Sequence, residues 1–417
     1  MGFTPKYKAL RGMPDILPED AAIMRWVEER AREAFDRFGY REIRTPLVEQ
    51  TEVFTRSIGE DTDIVEKEMY SFTDRGGKNI SLRPEATASI IRAYIEHGMH
   101  AENDVTKLYY IGPMFRGERP QKGRQRQFYQ IGAEIIGSSD PYVDAELILN
   151  LQALLKNIGI NGFEILLNSL GCSSDRAPYK RELTKYLSEK KGKLCDDCVR
   201  RTGTNVLRVL DCKKKECRKV IEKAPSVLDH LCDKCRDDYE KVRAVLSGMD
   251  VAFTEKKDLV RGLDYYTNTV FEVVHSALGA QDAIAAGGRY DDLTRQMGGP
   301  VVGATGYAVG VERLLLAVDR EKIDLLLPGI LVIAVDGDSK PEAFALAEKF
   351  RSAGPACEMD ISGRSLKAQL RKANKDGRKF VIMLGEEERK SGKLLLKDME
   401  TGQQETLTFE EALKRVK

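Results

Sequence analysis

The chain has 417 residues, of which 42% are hydrophobic and 32% charged, as in globular proteins with an ample core. Its length predicts two to four domains. The 67 lysines and arginines nearly balance the 66 aspartates and glutamates. This balance excludes a generally basic protein, so a surface for nucleic acid would have to be a local patch.

The sequence has no run of 18 consecutive apolar residues, and its first ten residues contain no apolar run of the kind found in signal sequences. We therefore expect no membrane span and a cytoplasmic location. In that compartment the eight cysteines are expected to be reduced or bound to metal.

The first 100 residues predict a helix, a strand, a hairpin and a second helix. Apolar residues recur at helical spacing over 18–38. Pro46 interrupts a strand over 41–49, which favours an edge or a bulge because proline has no N–H to donate. A hairpin that turns at 74–77 leads to a helix with Glu85 and Thr87 in its first turn, where both are also ordinary helix caps.

Residues 107–137 predict two strands joined by a loop. Alternate side chains of a strand share a face, so we expect Arg116, Gln130 and Glu134 to form a polar face that is a poor core and a good binding floor. Gly132 is expected to keep the surface between Gln130 and Glu134 open to a ligand.

The loop over 117–126 has a local charge of +3 in a chain whose total is +1, which suits phosphate. The alternative is a polar edge hairpin with a solvated basic tip. One acid, Glu118, stands against the basic residues Arg119, Lys122, Arg124 and Arg126.

Beyond this hairpin the pattern predicts a helix over 141–155 and a strand over 163–171. Residues 172–247 are rich in charge and cysteine and have helical character, so we interpret them as an inserted module. A strand-forming run over 258–274 follows, and then a glycine-rich strand that enters a helix at Glu312 and Arg313. From residue 329 strands and helices alternate, which predicts a mostly parallel sheet covered by helices.

Several strings resemble those of histidyl-tRNA synthetases, a family of class II aminoacyl-tRNA synthetases. FRGERPQKGRQRQFYQIGAE (115–134) resembles motif 2, GATGYAVGVERLLLAV (303–318) resembles motif 3, and REIRTPLVE with the helix before it resembles motif 1. RGLDYYTNTVFE (261–272) and AAGGRYDDL (285–293) resemble the two histidine-specific signatures. LRPEAT (82–87) resembles the family's LRPEGT, with Ala86 in place of glycine.

This resemblance implies a class II synthetase fold. The α+β catalytic domain, with an antiparallel sheet, would occupy 1–171 and 248–327, interrupted by a mainly helical insert over 172–247. A C-terminal α/β anticodon-binding domain would occupy 328–417. The resemblance also implies a homodimer formed through residues 19–52.

The implied reaction uses L-histidine, ATP with Mg²⁺, and tRNA(His). The histidine carboxylate attacks the α-phosphorus and expels pyrophosphate, and the 3′-terminal ribose hydroxyl of the tRNA then attacks the histidyl-adenylate. Such chemistry needs positioning and positive charge, which arginines supply. By motif match, Arg116 contacts the α-phosphate and Arg261 acts from the opposite side, as the two catalytic residues, while Arg124 and Arg313 hold the triphosphate.

The resemblance also implies a histidine-binding set. A buried carboxylate and amide can pair both imidazole nitrogens, so that an analogue without them would leave polar groups unpaired. Glu134 and Gln130 are expected near the ring, with Tyr265 and Tyr266 beside them. The set expected around the α-ammonium group is Glu85, Ala86 and Thr87.

Three other interpretations compete with this one. The first is a histidyl-synthetase-like regulatory subunit of ATP-phosphoribosyltransferase, against which the presence of Arg116, Arg261, Arg313 and residues 329–417 argues. The second is another class II synthetase, such as a prolyl or threonyl enzyme, against which both histidine signatures argue. The third is an RNA-binding module without chemistry.

Six of the eight cysteines lie between residues 195 and 235. Two CxxC pairs about three dozen residues apart are a common zinc arrangement, because each pair can occupy one edge of a tetrahedron. The alternative, reduced cysteines serving as small apolar side chains, stays open, since this family does not generally need structural zinc. The favoured zinc ligands are Cys195, Cys198, Cys232 and Cys235, with Cys212 and Cys217 as substitutes.

Overall fold

The computed structural model describes residues 6–59, 62–279, 282–323 and 329–417. The chain divides into two compact units, Met1–Lys322 and Ile323–Lys417. The boundary expected at residues 327 and 328 lies outside the described residues. Among the helices of the described ranges, none is long and apolar enough to cross a membrane.

The strands of the first unit are β1 (Arg41–Glu42), β2 (Val48–Gln50), β3 (Ser71–Thr73), β4 (Asn79–Leu82), β5 (Thr106–Phe115), β6 (Gln127–Ile136), β7 (Phe163–Ser169), β8 (Phe253–Glu255), β9 (Thr267–His275), β10 (Ala283–Arg289) and β11 (Ala304–Gly310).

Its helices are α1 (Pro18–Arg37), α2 (Thr51–Ile58), α3 (Thr87–Glu96), α4 (Met99–Glu102), α5 (Pro141–Asn157), α6 (Ser173–Ser188), α7 (Asp196–Thr204), α8 (Lys215–Ile221), α9 (Asp233–Gly248), α10 (Leu293–Gln296) and α11 (Val311–Ala317).

An eight-stranded sheet organises the first unit, in the order β1-β5-β6-β11-β10-β9-β7-β8. Neighbouring strands in the interior of this sheet are antiparallel. Among the strands of the described chain, only the pairs at the two edges, β1–β5 and β7–β8, are parallel. This confirms the α+β class with an antiparallel sheet. The predicted hairpin over 107–137 is the pair β5–β6, in which Tyr110 lies opposite Gly132.

The two faces of this sheet differ, as strand alternation requires. Ile131, Ala133 and Ile135 of β6 pack into a core with α1 and α5. The opposite face of the same strand carries Gln130 and Glu134, and it borders a second core cluster around Tyr110 and Tyr290. The polar face therefore exists as predicted, and the helices on the other face leave it accessible to a ligand.

Pro46 lies between two short strands that belong to different sheets. β1 joins the edge of the large sheet, whereas β2 pairs with β4 in a three-stranded sheet of order β2-β4-β3. The predicted hairpin is present as β3 and β4, and Gly77 at its turn has a φ of 81°.

Residues 172–247 form α6 to α9, with no strand among them. The insert has a small apolar core of its own, which includes Leu183, Leu187 and Val209 together with three buried cysteines. Its last helix, α9, also contributes Tyr239 and Val242 to the main core. The insert is therefore packed into the first unit rather than tethered to it.

The second unit has a five-stranded sheet of order β13-β12-β14-β15-β16, in which the first three strands are parallel and the last two are antiparallel. The sequence predicted the parallel part and missed the last strand. The elements are β12 (Ile330–Ala334), α12 (Lys340–Ser352), β13 (Cys357–Met359), α13 (Leu366–Lys375), β14 (Phe380–Leu384), α14 (Glu386–Ser391), β15 (Leu394–Asp398), β16 (Gln404–Leu407) and α15 (Phe409–Val416).

A buried ion pair joins β10 to α5. The Arg289 Nε donates to the Asp144 carboxylate at 3.0 Å, and both side chains are at most 3% exposed. The remaining guanidinium nitrogens donate to Asp291 and to the Ser138 and Asp140 carbonyls. Burial raises the pKa of Asp144, and the arginine opposes that shift.

We expect Arg289→Met to destabilise the first unit by about 3–5 kcal/mol, because it leaves the Asp144 carboxylate buried without its cation. The matched control is Arg295→Met, which removes an exposed pair with Asp292 and should cost under about 1 kcal/mol. Urea unfolding followed by circular dichroism measures both. Equal midpoints in the two variants would contradict the prediction.

Candidate active site

A cleft of about 490 Å³ lies over the polar face of the large sheet. Strands β5, β6 and β9 to β11 supply its floor, and the loop that carries Arg261 to Tyr266 supplies one wall. Two residues of the insert, Asp211 and Lys213, also line it. The cleft thus combines residues of motifs 2 and 3, of LRPEAT and of both histidine signatures with part of the insert, and no residue of the motif 1 segment is among its described lining.

The three arginines predicted to bind ATP and the catalytic candidate Arg261 all line this cleft. The Arg116 Nε donates to the Pro84 carbonyl at 2.9 Å, and its guanidinium lies 5.2 Å from the centre of the Phe128 ring. Arg313 donates to the Ala283 carbonyl at 2.9 Å. These backbone contacts fix the direction of each guanidinium before any ligand binds.

The positive charges are close enough to influence one another. Burial lowers the pKa of Arg313, and the nearby Arg124 and Arg116 lower it further. Arg124 itself forms an ion pair with Glu118 at 2.9 Å. Converging cations of this kind favour a polyanionic ligand, because binding it relieves their mutual repulsion.

Arg261 lines the cleft from the loop between β8 and β9. Its Nη1 forms an ion pair with Glu272 at 2.7 Å, and its guanidinium lies 5.8 Å from the centre of the Tyr266 ring. Its Nε is buried and has no hydrogen-bond partner in the described part of the chain. An unpaired buried donor at the edge of a cleft is costly unless a ligand accepts from it.

Glu134 forms the centre of a buried hydrogen-bond network. One carboxylate oxygen accepts from the Thr87 hydroxyl at 2.7 Å, and the other accepts from the Tyr290 hydroxyl. Burial raises the pKa of Glu134 from an ordinary value of 4.5 to about 8. On the neighbouring strand a Cβ at Gly306 would lie only 1.6 Å from this carboxylate, so only glycine fits there.

Tyr290 is a site residue that the sequence analysis did not single out. Its ring is 1% exposed and packs edge-on against Tyr265 and Tyr266, with centroids 5.5 and 6.4 Å apart. Tyr290 belongs to the string AAGGRYDDL. An aromatic residue with a polar hydroxyl close to two glycines is the feature of this string that could have indicated a site residue. Together these three tyrosines wall off the carboxylate from solvent.

Gln130 has the geometry of a ligand-binding residue. Its side chain is 9% exposed and lines the cleft, and its Oε1 has no partner among the described residues. A buried amide oxygen costs free energy unless something donates to it. This supports a donor group of the ligand at that position.

The residues predicted to bind the α-ammonium group of histidine are only partly free to do so. The Glu85 oxygens accept from the Thr87 and Ala88 backbone N–H groups at 2.6 and 2.9 Å, so this carboxylate caps α3. Burial raises the pKa of Glu85. Glu85 and Thr87 line the cleft, whereas Ala86 is fully buried and is absent from the described lining.

The expectation that Gly132 keeps the surface between Gln130 and Glu134 open to a ligand was wrong. A Cβ at this position would meet the Tyr110 ring at 2.4 Å, so the space over Gly132 holds a neighbouring side chain rather than a ligand. Cross-strand partners in an antiparallel pair face each other closely, and the tyrosine opposite fills the gap.

Comparison with known proteins decides the family. A sequence profile of histidyl-tRNA synthetases matches residues 12–314. The histidine–tRNA ligase of Syntrophotalea carbinolica is 48% identical over 401 residues, which are 96% of each chain. The chain belongs to the histidyl-tRNA synthetase family.

Further comparisons show that the similarity to histidyl-tRNA synthetases covers nearly the whole of this chain. The histidine–tRNA ligase of Halothermothrix orenii is 47% identical over 95% of this chain and 96% of its own. The crystal structure of apo S. aureus histidyl-tRNA synthetase is 34% identical with a TM-score of 0.82, covering 98% of this chain and 99% of that one. A profile described as an anticodon binding domain matches residues 329–417.

The cysteines of this histidyl-tRNA synthetase do not group as predicted. The favoured set of Cys195, Cys198, Cys232 and Cys235 is wrong, because its two CxxC pairs lie in different clusters. Each pair is at the start of a separate helix, and the fold brings other residues to it. Cys195 and Cys198 meet Cys212 and Cys217, whereas Cys232 and Cys235 meet Cys172 and Asp175.

The raised pKa of Glu134 predicts a pH-dependent stability. Between its ordinary value of 4.5 and about 8, the folded protein holds a proton that the unfolded chain has released. The free energy of unfolding therefore falls as the pH rises through this interval. Glu134→Gln removes the titration, so its melting temperature should fall less than that of the wild type between pH 5 and 8.

Thermal melts of the ligand-free protein at several pH values measure this difference. Glu164→Gln, at an exposed glutamate of β7, is the control and should keep the wild-type pH profile. Parallel profiles for the wild type and Glu134→Gln would show that the carboxyl is not protonated in the folded protein.

Proposed function

We propose that this chain is a histidine–tRNA ligase, which activates L-histidine with ATP and transfers it to the 3′ end of tRNA(His). The observation that carries the proposal is one cleft lined by four arginines and by Thr87, whose hydroxyl donates to the buried Glu134 carboxyl next to the cleft. A site for a polyanion thus adjoins a site for a small polar side chain. Membership of the family supports the same activity.

ATP with Mg²⁺ would occupy the arginine side of the cleft. Arg116 would contact the α-phosphate, Arg313 would hold the γ-phosphate, and Arg124 would also contact the triphosphate. Mg²⁺ that binds with ATP would neutralise further charge on the phosphates. Arg261 lies across the cleft, where it stabilises the charge that develops on the α-phosphate during attack. Both Arg116 and Arg261 are therefore assigned as catalytic residues.

Histidine would bind on the tyrosine side. Glu134 would accept from an imidazole N–H after losing the proton that it holds in the ligand-free protein, and the Tyr266 hydroxyl would pair with the second ring nitrogen. Burial raises the pKa of Tyr266, so its hydroxyl stays protonated and can donate. Gln130 would also contact the ring, and Glu85 with Thr87 would bind the α-ammonium group. An amino acid without these donors would leave buried groups unpaired, which is the basis of selection.

The chemistry requires no protein nucleophile. No histidine or cysteine is among the described residues that line the cleft. The substrate carboxylate is itself the nucleophile in the first step, and the tRNA hydroxyl is the nucleophile in the second. The protein supplies orientation and fixed positive charge, which are the main requirements of phosphoryl-group activation.

The remaining assignments follow from the family. We assign the catalytic domain to 1–171 and 248–327, the insert to 172–247, and the anticodon-binding domain to 328–417. In that last domain α13 and the loop before it carry Arg364, Lys367, Arg371 and Lys375 on an exposed surface suited to an RNA backbone. A homodimer formed through residues 19–52 and a cytoplasmic location, where tRNA is charged, complete the proposal.

The regulatory-subunit alternative has less support. A subunit that does not activate histidine has no need for Arg116, Arg261 and Arg313 to converge on one cleft. The high identity to histidine–tRNA ligases over 96% of the chain argues in the same direction.

Pyrophosphate exchange tests the proposed activity. The chain should exchange labelled pyrophosphate into ATP only in the presence of L-histidine among the twenty amino acids, and it should then charge tRNA(His). Exchange with proline or threonine instead would indicate another class II synthetase. Absence of exchange with any amino acid would indicate a regulatory or RNA-binding role.

Arg261→Ala should lower the rate constant for exchange by about 10²–10³-fold while leaving the histidine affinity close to wild type, because its charge matters most in the transition state. Arg243→Ala, at an arginine on α9 that pairs with Glu255, is the control and should retain activity. Steady-state exchange and isothermal titration with histidine measure the two quantities. A near-normal exchange rate would remove Arg261 from the mechanism.

A further inference from the structure

Four cysteines of the insert form a thiol cluster, which we define as Cys195, Cys198, Cys212 and Cys217. Their sulfur atoms all lie within 4.8 Å of one another, and none of the four is in a disulfide. Three of them are buried. The Sγ atoms of Cys195 and Cys212 are 4.0 Å apart. In a tetrahedron with zinc–sulfur bonds of about 2.3 Å, the sulfur atoms are about 3.8 Å apart.

Helix α7 presents two of the thiols at its N-terminal end. Cys195 is the N-cap of α7 and Cys198 lies in its first turn, while Cys217 lies in the short helix α8. The Cys195 backbone N–H donates to the Cys217 sulfur at 3.2 Å. The positive ends of helices and such N–H···S bonds stabilise thiolates, which are the form that binds metal.

The charge around the thiols is consistent with that form. The exposed Lys214 ammonium lies beside Cys195. A nearby positive charge stabilises a thiolate.

The second cluster has a different explanation. The two Asp175 oxygens accept from the Cys172 and Cys232 backbone N–H groups at 3.1 and 3.0 Å, so the carboxylate is already used as a cap for two helices. Cys235 donates to the Asn268 side chain at 3.4 Å, and Cys232 is exposed. These contacts account for the residues without a metal ion.

We propose that the thiol cluster binds one structural zinc ion through four thiolates, and that this ion fixes the insert against the wall of the catalytic cleft. Binding releases the thiol protons to solvent and leaves a tetrahedral Zn(Cys)₄ centre. The ligand pattern is CxxC followed by CxxxxC, with 13 residues between Cys198 and Cys212.

The ion would hold in place the segment between Cys198 and Cys212. Arg201 forms an ion pair with Asp63 at 2.9 Å, and the Arg208 Nη1 donates to the Arg261 carbonyl at 3.3 Å. Asn205 donates to the Asp264 carboxylate at 3.1 Å. Both ends of the segment are ligands of the proposed ion, so the metal would fix these contacts with the loop that carries Arg261.

Metal analysis of the full-length protein, purified without chelator and with zinc in the medium, tests the site. The wild type should contain about one zinc per chain. Cys217→Ser should lose it, and the matched control Cys235→Ser, from the second cluster, should keep it. A wild type without zinc, or loss of zinc in Cys235→Ser but not in Cys217→Ser, would overturn the proposal.

Two measurements on the wild type keep the test decisive if Cys217→Ser does not fold. Replacement of zinc by Co²⁺ should give the sulfur-to-cobalt charge-transfer bands and visible spectrum of a tetrahedral tetrathiolate. A mercurial thiol reagent should release the zinc as four thiols react. A cobalt spectrum without sulfur ligation, or zinc release that is unrelated to thiol modification, would contradict the ligand set.

The positioning role, unlike the metal site itself, depends on the proposed function of Arg261. Zinc-free protein should show a lower kcat for histidine-dependent exchange with little change in the KM for histidine, and added zinc should restore it. Unchanged kcat with the expected zinc content would limit the ion to folding of the insert. Absence of exchange in the zinc-loaded wild type would instead refute the proposed activity and leave the metal site intact.

Discussion

The structure of the site depends on one buried carboxylate. Glu134 lies in the middle of the large sheet, 1% exposed, where a charge is stable only if donors surround it. Thr87 and Tyr290 supply two hydroxyl donors from different elements of the chain. The resulting network links β6, the start of α3 and the end of β10, so the residue that would recognise the substrate also ties the floor of the cleft together.

Small residues around this carboxylate make its position possible. β11 runs beside β6 with Gly306 opposite Glu134, and a side chain there would overlap the carboxylate. Gly132 similarly makes room for the Tyr110 ring. The glycines of the motifs therefore serve close packing between neighbouring strands, and the ligand-facing surface is formed by the longer side chains that they accommodate.

Clustered arginines and buried acidic side chains lie close together at the cleft. On the arginine side, burial lowers the pKa of Arg313 and the neighbouring cations lower it further, and on the tyrosine side burial raises the pKa values of Glu134 and Glu85. A reaction that joins a carboxylate to a phosphate makes use of that arrangement, because both substrates must meet at the boundary between the two sides.

The sequence by itself determined the class of the fold and most of the lining of the cleft. Strand alternation placed Gln130 and Glu134 on one face, and the family motifs named the four arginines, because both signals are local in the chain. The charge pattern of residues 172–247 likewise indicated a helical insert.

Only the tertiary structure decided which distant residues meet. Local sequence patterns contain no information about which residues lie close together across the sheet. The spacing of residues therefore could not predict that Tyr290 pairs with Glu134 or that Tyr110 lies over Gly132. The cysteines show the same limit, since the regular CxxC spacing favoured pairing Cys195 with Cys232. Helix packing within the insert instead brought Cys195 to Cys212, since each helix start is positioned by its own contacts with the core.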